Sequence, residues 1–382
     1  MIIAHLSDIH ISRYGAQLIQ MRGPAKEARG NHWEEVEDID GWKLEARRAE
    51  STRFTWKDRL RLVDPYGTVH KELKVSRDEL ENGLFELMSL QRRVSRFSAS
   101  ALAADFPTAE QTEAMLQEAP DNANVRFCAV AHQLRADNPD VLLLTGDLTD
   151  DAVGFELIEA GFKPFVEGGR LIAIPGNHDI YPSPPLITSA AERRDELEKR
   201  RLWGAFARRI GVQAGGCFVR ELGEGVQLIC LDSAHPPRIP GSASGLVQPH
   251  ELHQLAGELD TMASGPGVLR IACLHHHIAN LPRTVFGSAP IQAGMKLRNA
   301  PQVLEMLKEF GVEAVLNGHR HIGFRFKPSG EPLFISAPST TQGCKSGQAP
   351  FYWRLEVSGE GLGNIREVPI ALLQEPTEAL TA

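Results

Sequence analysis

The chain has 382 residues, of which 42% are hydrophobic and 24% are charged. This composition is typical of globular proteins and excludes a fibrous or wholly disordered chain. The 49 acidic and 41 basic residues give a formal net charge of −8. General nucleic-acid binding needs a strongly basic surface, so this balance argues against nucleic acid as the partner.

The five cysteines are odd in number, widely spaced and never arranged as Cys-x-x-Cys. This pattern argues against a disulfide framework or a structural zinc site and favours a reducing compartment. No run approaches the roughly 18 apolar residues that a membrane span requires. The first ten residues, MIIAHLSDIH, have neither the basic region nor the apolar stretch of a signal peptide. Together these features predict a soluble, cytoplasmic protein without a membrane partner.

Short apolar runs predict buried strands, because strands of a parallel sheet that are covered on both faces are apolar throughout. The runs are Ile2–Leu6, Val141–Leu144, Leu171–Ile174, Val226–Leu231, Leu269–Leu274 and Ala314–Leu316. Helical patterns lie between several of them, for example over Val125–Ala136 and Pro301–Phe310. This alternation predicts an α/β layered domain, in which ligands gather at the carboxyl ends of the strands.

Residues 11–120 differ from the rest, because past Ile11 no strand followed by a polar motif occurs until Val125. We interpret this segment as an inserted α+β cap. The chain is then divided into a core of residues 1–10 plus 121–382 and a cap of residues 11–120.

Within the cap, a hairpin is expected with strands over Arg59–Val63 and Thr68–Val75, since the DPYG sequence between them is a strong turn signal. Ser76 and Glu79 resemble a capping box, from which an amphipathic helix is expected to reach about Phe97. The cap is therefore expected to be folded.

After Gly323 the apolar runs follow one another without intervening helices. The runs are Phe324–Lys327, Pro332–Ser336 and Phe351–Val357, separated by Gly, Ser and Pro residues. This pattern predicts a closing antiparallel segment.

Polar clusters follow five of the predicted strands. The clusters are Asp8-Ile9-His10, Gly146-Asp147-Leu148-Thr149-Asp150, Gly176-Asn177-His178-Asp179, His275-His276-His277 and Gly318-His319-Arg320-His321. Taken singly, each is better explained as a turn, a helix cap or a solvated edge. Together they supply the carboxylate, amide and imidazole ligands that divalent ions prefer. The supply suffices for two ions, which need a bridging ligand such as a carboxylate.

The order DxH, GDxxD, GNHD, an apolar strand ending in histidine, and GHxH resembles the calcineurin-like metallophosphoesterase superfamily. The resemblance covers roughly residues 1–10 and 121–340. It implies the metallophosphoesterase fold, a layered β-sandwich flanked by helices, here with the inserted α+β cap.

A second pattern narrows the resemblance to the bacterial cyclic-nucleotide and glycerophosphodiester phosphodiesterase branch. It consists of Gly245-Leu246-Val247 followed by Leu252, Leu255 and Leu259. Two features depart from that branch. The cap separates the first two motifs more widely than is usual, and the fourth motif, LHHHI, lacks the proline that commonly follows.

The resemblance implies two divalent metal ions (Mn, Fe or Zn) held by seven side chains. One ion takes Asp8, His10 and His321, the other takes Asn177, His275 and His319, and Asp147 bridges them. His275 is preferred to His276 because the first histidine after the strand fills that place in the family. Such a site lowers the pKa of bound water toward about 7 and holds phosphoryl oxygens.

The resemblance also implies a mechanism, in which a metal-bound hydroxide attacks the phosphorus of a phosphodiester or phosphomonoester. His178 then stabilises or protonates the leaving oxygen, and Asp150 orients His178. The alternatives are a simple hydrogen bond for His178 and a helix cap for Asp150. Asp179 is expected to serve its loop, and Arg320 either contacts substrate phosphate or lies on a solvated face.

The expected activity is a phosphoester hydrolase for a small soluble substrate, such as a cyclic nucleotide or a glycerophosphodiester. A DNA nuclease of the same superfamily would need a basic channel, and no concentrated Lys/Arg tract occurs. A non-catalytic protein-binding scaffold would have lost metal ligands, whereas every expected position holds a competent one. Because the cap follows directly after His10, we expect it to overhang the site or to mediate homo-oligomer formation.

Overall fold

The computed structural model describes most of the core and parts of the cap. The described ranges are residues 1–15, 33–39, 41–47, 58–65, 69–76, 79–182, 190–236, 242–279, 295–342 and 349–372. Among the helices in these ranges, none is long and apolar enough to cross a lipid bilayer.

The predicted strands and helices of the core are present, with bounds that differ from the expected ones by a few residues at most. The described strands are β1 (Ile2–Leu6), β2 (Glu34–Ile39), β3 (Trp42–Arg47), β4 (Asp58–Val63), β5 (Val69–Val75), β6 (Val141–Thr145), β7 (Leu171–Ile174), β8 (Phe218–Gly223), β9 (Val226–Cys230), β10 (Leu269–Cys273), β11 (Val312–Asn317), β12 (Phe324–Phe326), β13 (Leu333–Ser336), β14 (Phe351–Ser358) and β15 (Gly361–Pro369). The described helices are α1 (Leu80–Arg96), α2 (Ala99–Ala104), α3 (Ala109–Glu118), α4 (Ala123–Asp137), α5 (Phe155–Gly161), α6 (Lys163–Glu167), α7 (Asn177–Ile180), α8 (Ala190–Arg209), α9 (Pro249–Thr261) and α10 (Ala300–Glu309).

The first sheet has the strand order β15-β14-β1-β6-β7. Strands β1, β6 and β7 run parallel, with Leu6 opposite Leu144 and Thr145 opposite Ile174. Strand β14 lies antiparallel to β1, and β15 lies antiparallel to β14. Because the three parallel strands end at the same edge, the loops that follow them lie side by side.

The second sheet has the order β12-β13-β11-β10-β9-β8. Strands β9, β10, β11 and β13 are parallel, and the edge strands β8 and β12 are antiparallel to their neighbours. The predicted closing antiparallel segment is confirmed for the pairs β12–β13 and β14–β15, and it did not foresee that β13 also pairs parallel with β11. The chain reverses from β11 to β12 and again from β12 to β13, so β13 returns parallel to β11, while β14 and β15 join the first sheet.

The two sheets pack face to face, as the alternation of side chains along β9 illustrates. Leu228 and Cys230 belong to the buried cluster shared with the first sheet, whereas Ile229 packs with α9 and α10 on the opposite face. The outer face of the first sheet is covered by α4, α5 and α6, with Phe127 and Phe165 fully buried. The predicted layered α/β sandwich flanked by helices is confirmed.

The cap contains its own four-stranded antiparallel sheet, in the order β2-β3-β4-β5. The predicted hairpin is confirmed as β4 and β5, although its tip at residues 66–68 lies outside the described residues. Helix α1 packs Leu87 against Leu44 and Leu60 of this sheet. It is α-helical from Leu80. The backbone N of Ser76 donates to the Glu79 carboxylate, which is one of the two bonds of the predicted capping box, and the Ser76 Oγ donates to the same carboxylate.

The chain leaves and re-enters the core at neighbouring points. The backbone N of Ala99 donates to the carbonyl of Arg13 at 2.9 Å, and the backbone N of Ala123 donates to the carbonyl of Gly15 at 2.9 Å. Helix α2, inside the segment interpreted as a cap, buries Leu102 in the main core cluster. In the described part of the cap, a hydrophobic cluster separate from the main core lies chiefly between residues 42 and 94. The exact division of core and cap stays a prediction.

Candidate metal centre

Five loops meet at one end of the sandwich, where the parallel strands β1, β6, β7, β10 and β11 end. The backbone N of Asp8 donates to the carbonyl of Gly146 at 3.0 Å, and the backbone N of Gly318 donates to the carbonyl of His275 at 3.2 Å. Across the two sheets, the backbone N of His319 donates to the Asp8 carboxylate at 2.9 Å. The loops that carry the predicted motifs are therefore hydrogen-bonded to one another.

Most of the predicted ligands have a left-handed backbone, which is disfavoured for residues other than glycine and clusters at functional sites. The φ angles are 53° at Asp8, 54° at His10, 49° at Asp147, 74° at His319 and 53° at His321. Glycines let these loops approach closely. A Cβ at Gly318 would lie 2.4 Å from the Asp8 Oδ2, and one at Gly176 would lie 2.2 Å from the Asp147 Oδ1.

One group of potential ligand atoms comes from Asp8, His10, Asp147 and His321, whose atoms all lie within 4.8 Å of one another. The Nε2 atoms of His10 and His321 are 2.9 Å apart, and the Nε2 of His321 is 3.3 Å from the Asp8 Oδ1. Two ring nitrogens and a carboxylate oxygen that converge in this way form a donor set suited to a divalent cation.

A second group comes from Asp147, His275 and His319, with Asn177 beside it. The Nδ1 of His275 lies 2.8 Å from the carbonyl of Thr145, which directs its Nε2 into the cluster. That Nε2 is 3.1 Å from the Asn177 Oδ1, 3.1 Å from the His319 Nδ1 and 3.2 Å from the Asp147 Oδ2. A proton on this Nε2 can form a good hydrogen bond with only one of the three neighbouring atoms. A divalent cation can bind the Nε2 and all three neighbours.

The electrostatics of the cluster attract positive charge. Burial alone would lower the pKa of His10, but the charge and the hydrogen bond of Asp150, with the charges of Asp147 and Asp8, raise it to about 9. Burial likewise opposes protonation of His275, and Asp147 chiefly raises its pKa to about 9. Because imidazole binds metal in its neutral form, metal binding here would displace these protons.

His178 and Asp150 lie beside the first group, and one carboxylate oxygen faces two histidines. The Asp150 Oδ1 is 2.6 Å from the Nδ1 of His10 and 3.3 Å from the Nδ1 of His178. Burial alone would raise the pKa of Asp150, but the charge and hydrogen bond of His10, followed by those of His178, hold it below its usual range. The His178 side chain is 38% exposed, whereas that of Asp150 is 4% exposed, so His178 is the one that an incoming molecule can reach.

Asp179 ties two loops together, as expected from the sequence. Its carboxylate accepts hydrogen bonds from the backbone N of Leu148, of Thr149 and of Gly176, and from the Oγ1 of Thr149. Burial and the nearby charge of Asp147 raise its pKa to about 6, against these hydrogen bonds. Asp179 therefore acts on the shape of the loops that carry Asp147 and Asn177.

The remaining residues of the motifs are buried as well. The Nδ1 of His276 is 2.9 Å from the Ser233 Oγ, and its ring centroid lies 4.5 Å from that of His319. His277 is also buried, and its Nδ1 has no hydrogen-bond partner among the described residues. Arg320 is 7% exposed and its Nη1 lies 2.9 Å from the Met295 Sδ, so the alternative of a solvated face is wrong for this residue.

The structure adds three residues that the sequence reasoning missed. Ser339, Thr340 and Thr341 follow β13, are fully buried, and donate hydrogen bonds from their side-chain hydroxyls to carbonyls of the loop that carries Asp8. A run of small hydroxyl residues after a strand has no distinctive spacing, so no pattern in the sequence points to them.

Comparison with known proteins agrees with this class of fold and site. Residues 120–323, a little more than half of the chain, match the family model described as calcineurin-like phosphoesterase. The sandwich and its polar loops define a metallophosphoesterase. The chain belongs to the calcineurin-like phosphoesterase family, and it is a metal-dependent phosphoester hydrolase.

Three individual proteins show the extent of the similarity. The chain is 31% identical over 240 residues to a probable cyclic nucleotide phosphodiesterase of Synechococcus sp., which covers 62% of this chain and 79% of that protein. It is 29% identical over 205 residues to the 3',5'-cyclic adenosine monophosphate phosphodiesterase CpdA of Haemophilus influenzae, covering 52% of this chain and 62% of that protein. A dimetal phosphatase from Danio rerio, solved as a crystal structure, aligns with a TM-score of 0.44 and 12% identity over 97% of this chain and 99% of its own.

Proposed function

We propose that the chain hydrolyses a small phosphodiester, such as a cyclic nucleotide or a glycerophosphodiester, with two divalent metal ions. The observation that carries this proposal is the pair of ligand groups that share Asp147. The relatives named as cyclic nucleotide phosphodiesterases support the choice of substrate class. The five cysteines and their spacing support the cytoplasm as the compartment.

The proposed ligand set is the one that the family resemblance implies. One ion is held by Asp8, His10 and His321, the other by Asn177, His275 and His319, and Asp147 bridges the two. Among the described residues, three groups of ligand atoms lie within 4.8 Å of one another, and Asp147 occurs in the two that consist of proposed ligands, which supports this division. The third group joins His10 to Asp150 and His178. The choice of His275 over His276 is supported by the Nε2 of His275, which faces Asn177, His319 and Asp147.

The charge of this centre suits an anionic substrate. Asp8 and Asp147 are the two anionic side chains of the proposed set, so two dications leave a net charge of about +2. When bound, Mn, Fe or Zn ions lower the pKa of water and neutralise charge on the phosphoryl oxygens. The residues of the chain hold the phosphodiester there and supply the proton for the leaving group.

His178 is the proposed proton donor to the leaving oxygen. Its Nδ1 faces Asp150 at 3.3 Å, so its Nε2 is the atom available to the substrate. When the bond between phosphorus and the leaving oxygen breaks, the proton of Nε2 passes to that oxygen, and water supplies the oxygen that phosphorus gains. The products are a phosphomonoester and an alcohol. Asp150 keeps the His178 ring in this orientation.

A turnover screen with Mn-loaded protein tests the proposed substrate class. We expect kcat/KM for bis-nitrophenyl phosphate, cyclic nucleotides or glycerophosphodiesters to exceed that for nitrophenyl phosphate by about tenfold or more, which is a difference of about 1.4 kcal/mol in transition-state binding. Protein treated with a chelator is the control. Faster turnover of short DNA than of every small diester would contradict the proposal.

The cap is proposed to limit access to the centre, because it follows His10 directly along the chain. The hydrogen bond between Arg13 and Ala99 keeps its two ends close together, so residues 16–96 can be replaced by a short Gly/Ser linker. We expect the shortened protein to bind two Mn ions per chain and to change its relative kcat/KM for large and small diesters by about tenfold. Mass spectrometry of bound metal and the turnover screen measure the two outcomes.

The shortened protein also tests the alternative role of the cap. A change of oligomeric state in light scattering, with unchanged substrate preference, would assign the cap to self-association. A folded variant that has lost its metal ions would show that the cap and the core are not separable as proposed.

A further inference from the structure

The loop that carries two of the proposed ligands is held by three consecutive hydroxyl side chains. Ser339 donates from its Oγ to the carbonyl of Asp8 at 2.8 Å, Thr340 donates from its Oγ1 to the carbonyl of Ser7 at 2.6 Å, and Thr341 donates from its Oγ1 to the carbonyl of Ile9 at 2.6 Å. We name Ser339, Thr340 and Thr341 the hydroxyl clamp. All three residues are 0% exposed.

The hydroxyl clamp acts on one side of a loop whose other side is held by a different motif. The backbone N of Asp8 donates to the carbonyl of Gly146, and the backbone N of His10 donates to the carbonyl of Asp147, both at 3.0 Å. The N–H groups of the loop are thus bound by the loop after β6, and its carbonyls are bound by the hydroxyl clamp. The Ser7 carbonyl also accepts from the backbone N of Thr340 at 3.3 Å, so the Asp8 and Ile9 carbonyls depend most on the clamp hydroxyls. Neither set of hydrogen bonds is part of a regular strand ladder.

This support matters because the loop has an unfavourable backbone. Asp8 and His10 have φ angles of 53° and 54°, in the left-handed region that such residues adopt when their surroundings impose it. Each residue in this region sends its side chain into the proposed metal centre. If a carbonyl of the loop loses its donor, the backbone can relax toward a more common conformation, and the two side chains then move away from the ligand positions.

We propose that the hydroxyl clamp is a positioning element that sets the affinity for the ion held by Asp8, His10 and His321. This proposal rests on the proposed function and its ligand set. Packing alone does not require three hydroxyls on three successive carbonyls, since valine would fill the volume of threonine without a donor. The clamp touches neither the proposed ligand atoms nor the substrate. It acts through the backbone of residues 7–9 and is therefore distinct from the seven proposed ligands.

The test compares Thr341→Val and Thr340→Val with Thr341→Ser, which keeps the hydroxyl. Manganese per chain and its dissociation constants are measured by titration of metal-free protein, followed by mass spectrometry. We expect Thr341→Val to weaken the binding of one of the two Mn ions by about 10- to 100-fold, the range typical of outer residues that orient metal ligands. Thr340→Val should weaken it less, because the Ser7 carbonyl keeps its hydrogen bond from the backbone N of Thr340. Thr341→Ser, which keeps the hydroxyl, should retain the wild-type affinity for both Mn ions.

Thr112→Val is the matched control. Thr112 is 2% exposed and donates from its Oγ1 to the carbonyl of Thr108 at 2.8 Å, in helix α3. It therefore loses the same kind of buried hydrogen bond, away from the centre. We expect it to lower the thermal midpoint of the metal-free protein and to leave both Mn affinities unchanged.

Distinct outcomes separate the inference from the proposed function. Unchanged Mn affinity in Thr340→Val and Thr341→Val, with a lowered thermal midpoint as in Thr112→Val, would overturn the inference and leave the proposed function standing. An equal loss of both ions would overturn the assignment to one ion. Wild-type protein that binds no Mn would contradict the proposed function instead. If a valine variant fails to fold, Ser339→Ala removes a hydroxyl from the same clamp with a smaller change and is measured in the same way.

Discussion

Asp147→Asn should lower kcat by about a thousandfold, because it weakens the binding of the cations that would neutralise the negative charge gained in the transition state. Asp147 is the residue shared by both groups of ligand atoms. Its Oδ1 accepts a hydrogen bond from the backbone N of His178, and its Oδ2 faces the Nε2 of His275 at 3.2 Å. Asparagine keeps the shape but supplies a single neutral oxygen, so it cannot bridge two cations as a carboxylate does. Steady-state turnover and Mn per chain measure the effect, and we expect fewer than two ions.

Asp179→Asn is the matched control for this substitution. Asp179 is equally buried and lies in the adjoining loop, but it faces backbone N–H groups rather than the ligand cluster. Burial and the charge of Asp147 raise the pKa of Asp179 to about 6, whereas the charges of His275 and His178 outweigh burial and lower the pKa of Asp147. Asparagine keeps one acceptor oxygen but turns an amide NH2 toward backbone N–H groups, so we expect this variant to disturb the loops and yet to lose less Mn and less turnover than Asp147→Asn. Full turnover and two bound ions in Asp147→Asn would contradict the proposed bridge.

His178→Ala should keep both metal ions and lower kcat by about 100- to 1000-fold for esters with poor leaving groups, within the range typical of general acid catalysis. His178 is 38% exposed and is oriented by Asp150, and it is not among the seven proposed ligands. The loss should shrink as the leaving group improves, because a nitrophenolate needs no proton to depart. A series of alkyl, phenyl and nitrophenyl diesters measures this dependence.

Two results would argue against this role of His178. An equal loss across the whole series of leaving groups would remove the proton donor from the mechanism. A loss of metal from His178→Ala would instead indicate that the variant disturbs the loop after β7, where the backbone N of His178 holds the Asp147 carboxylate. Metal analysis of the same preparation distinguishes these cases.

The local pattern of apolar runs was sufficient to predict the strands of the core. Ile2–Leu6 and Leu171–Ile174 are strands with the same bounds as predicted, because runs that are buried on both faces have an unambiguous composition. The clusters after these strands could be placed at one end of the domain, because parallel strands share a direction. The prediction that they lie near one another follows from that geometry and from the order of the motifs.

Strand pairing was less accessible to sequence reasoning, because it depends on contacts between residues far apart in the chain. Strand β13 resembles its neighbours in composition, yet it pairs parallel with β11, and β14 crosses to the other sheet to pair with β1. The contact at the start of α1 is local and could be predicted, since the Glu79 carboxylate accepts from the backbone N of Ser76 as in a capping box.

Two features of the site also depend on contacts that no motif encodes. The Asp150 carboxylate serves both His10 and His178, although the resemblance suggested His178 alone as its partner. The hydroxyl clamp holds residues 7–9 from more than 300 positions away along the chain. Such contacts arise from the packing of the two sheets, and the periodicity of a single sequence does not indicate them.

The pairing of β1 with β14 has a consequence for how the protein is made. A chain emerges from the ribosome in the order of its sequence, so Asp8 and His10 emerge long before His319, His321 and β14. Strand β1 therefore has one unpaired edge until β14 has been made. If the proposed ligand set is correct, neither ion can meet all of its ligands before His319 has been synthesised.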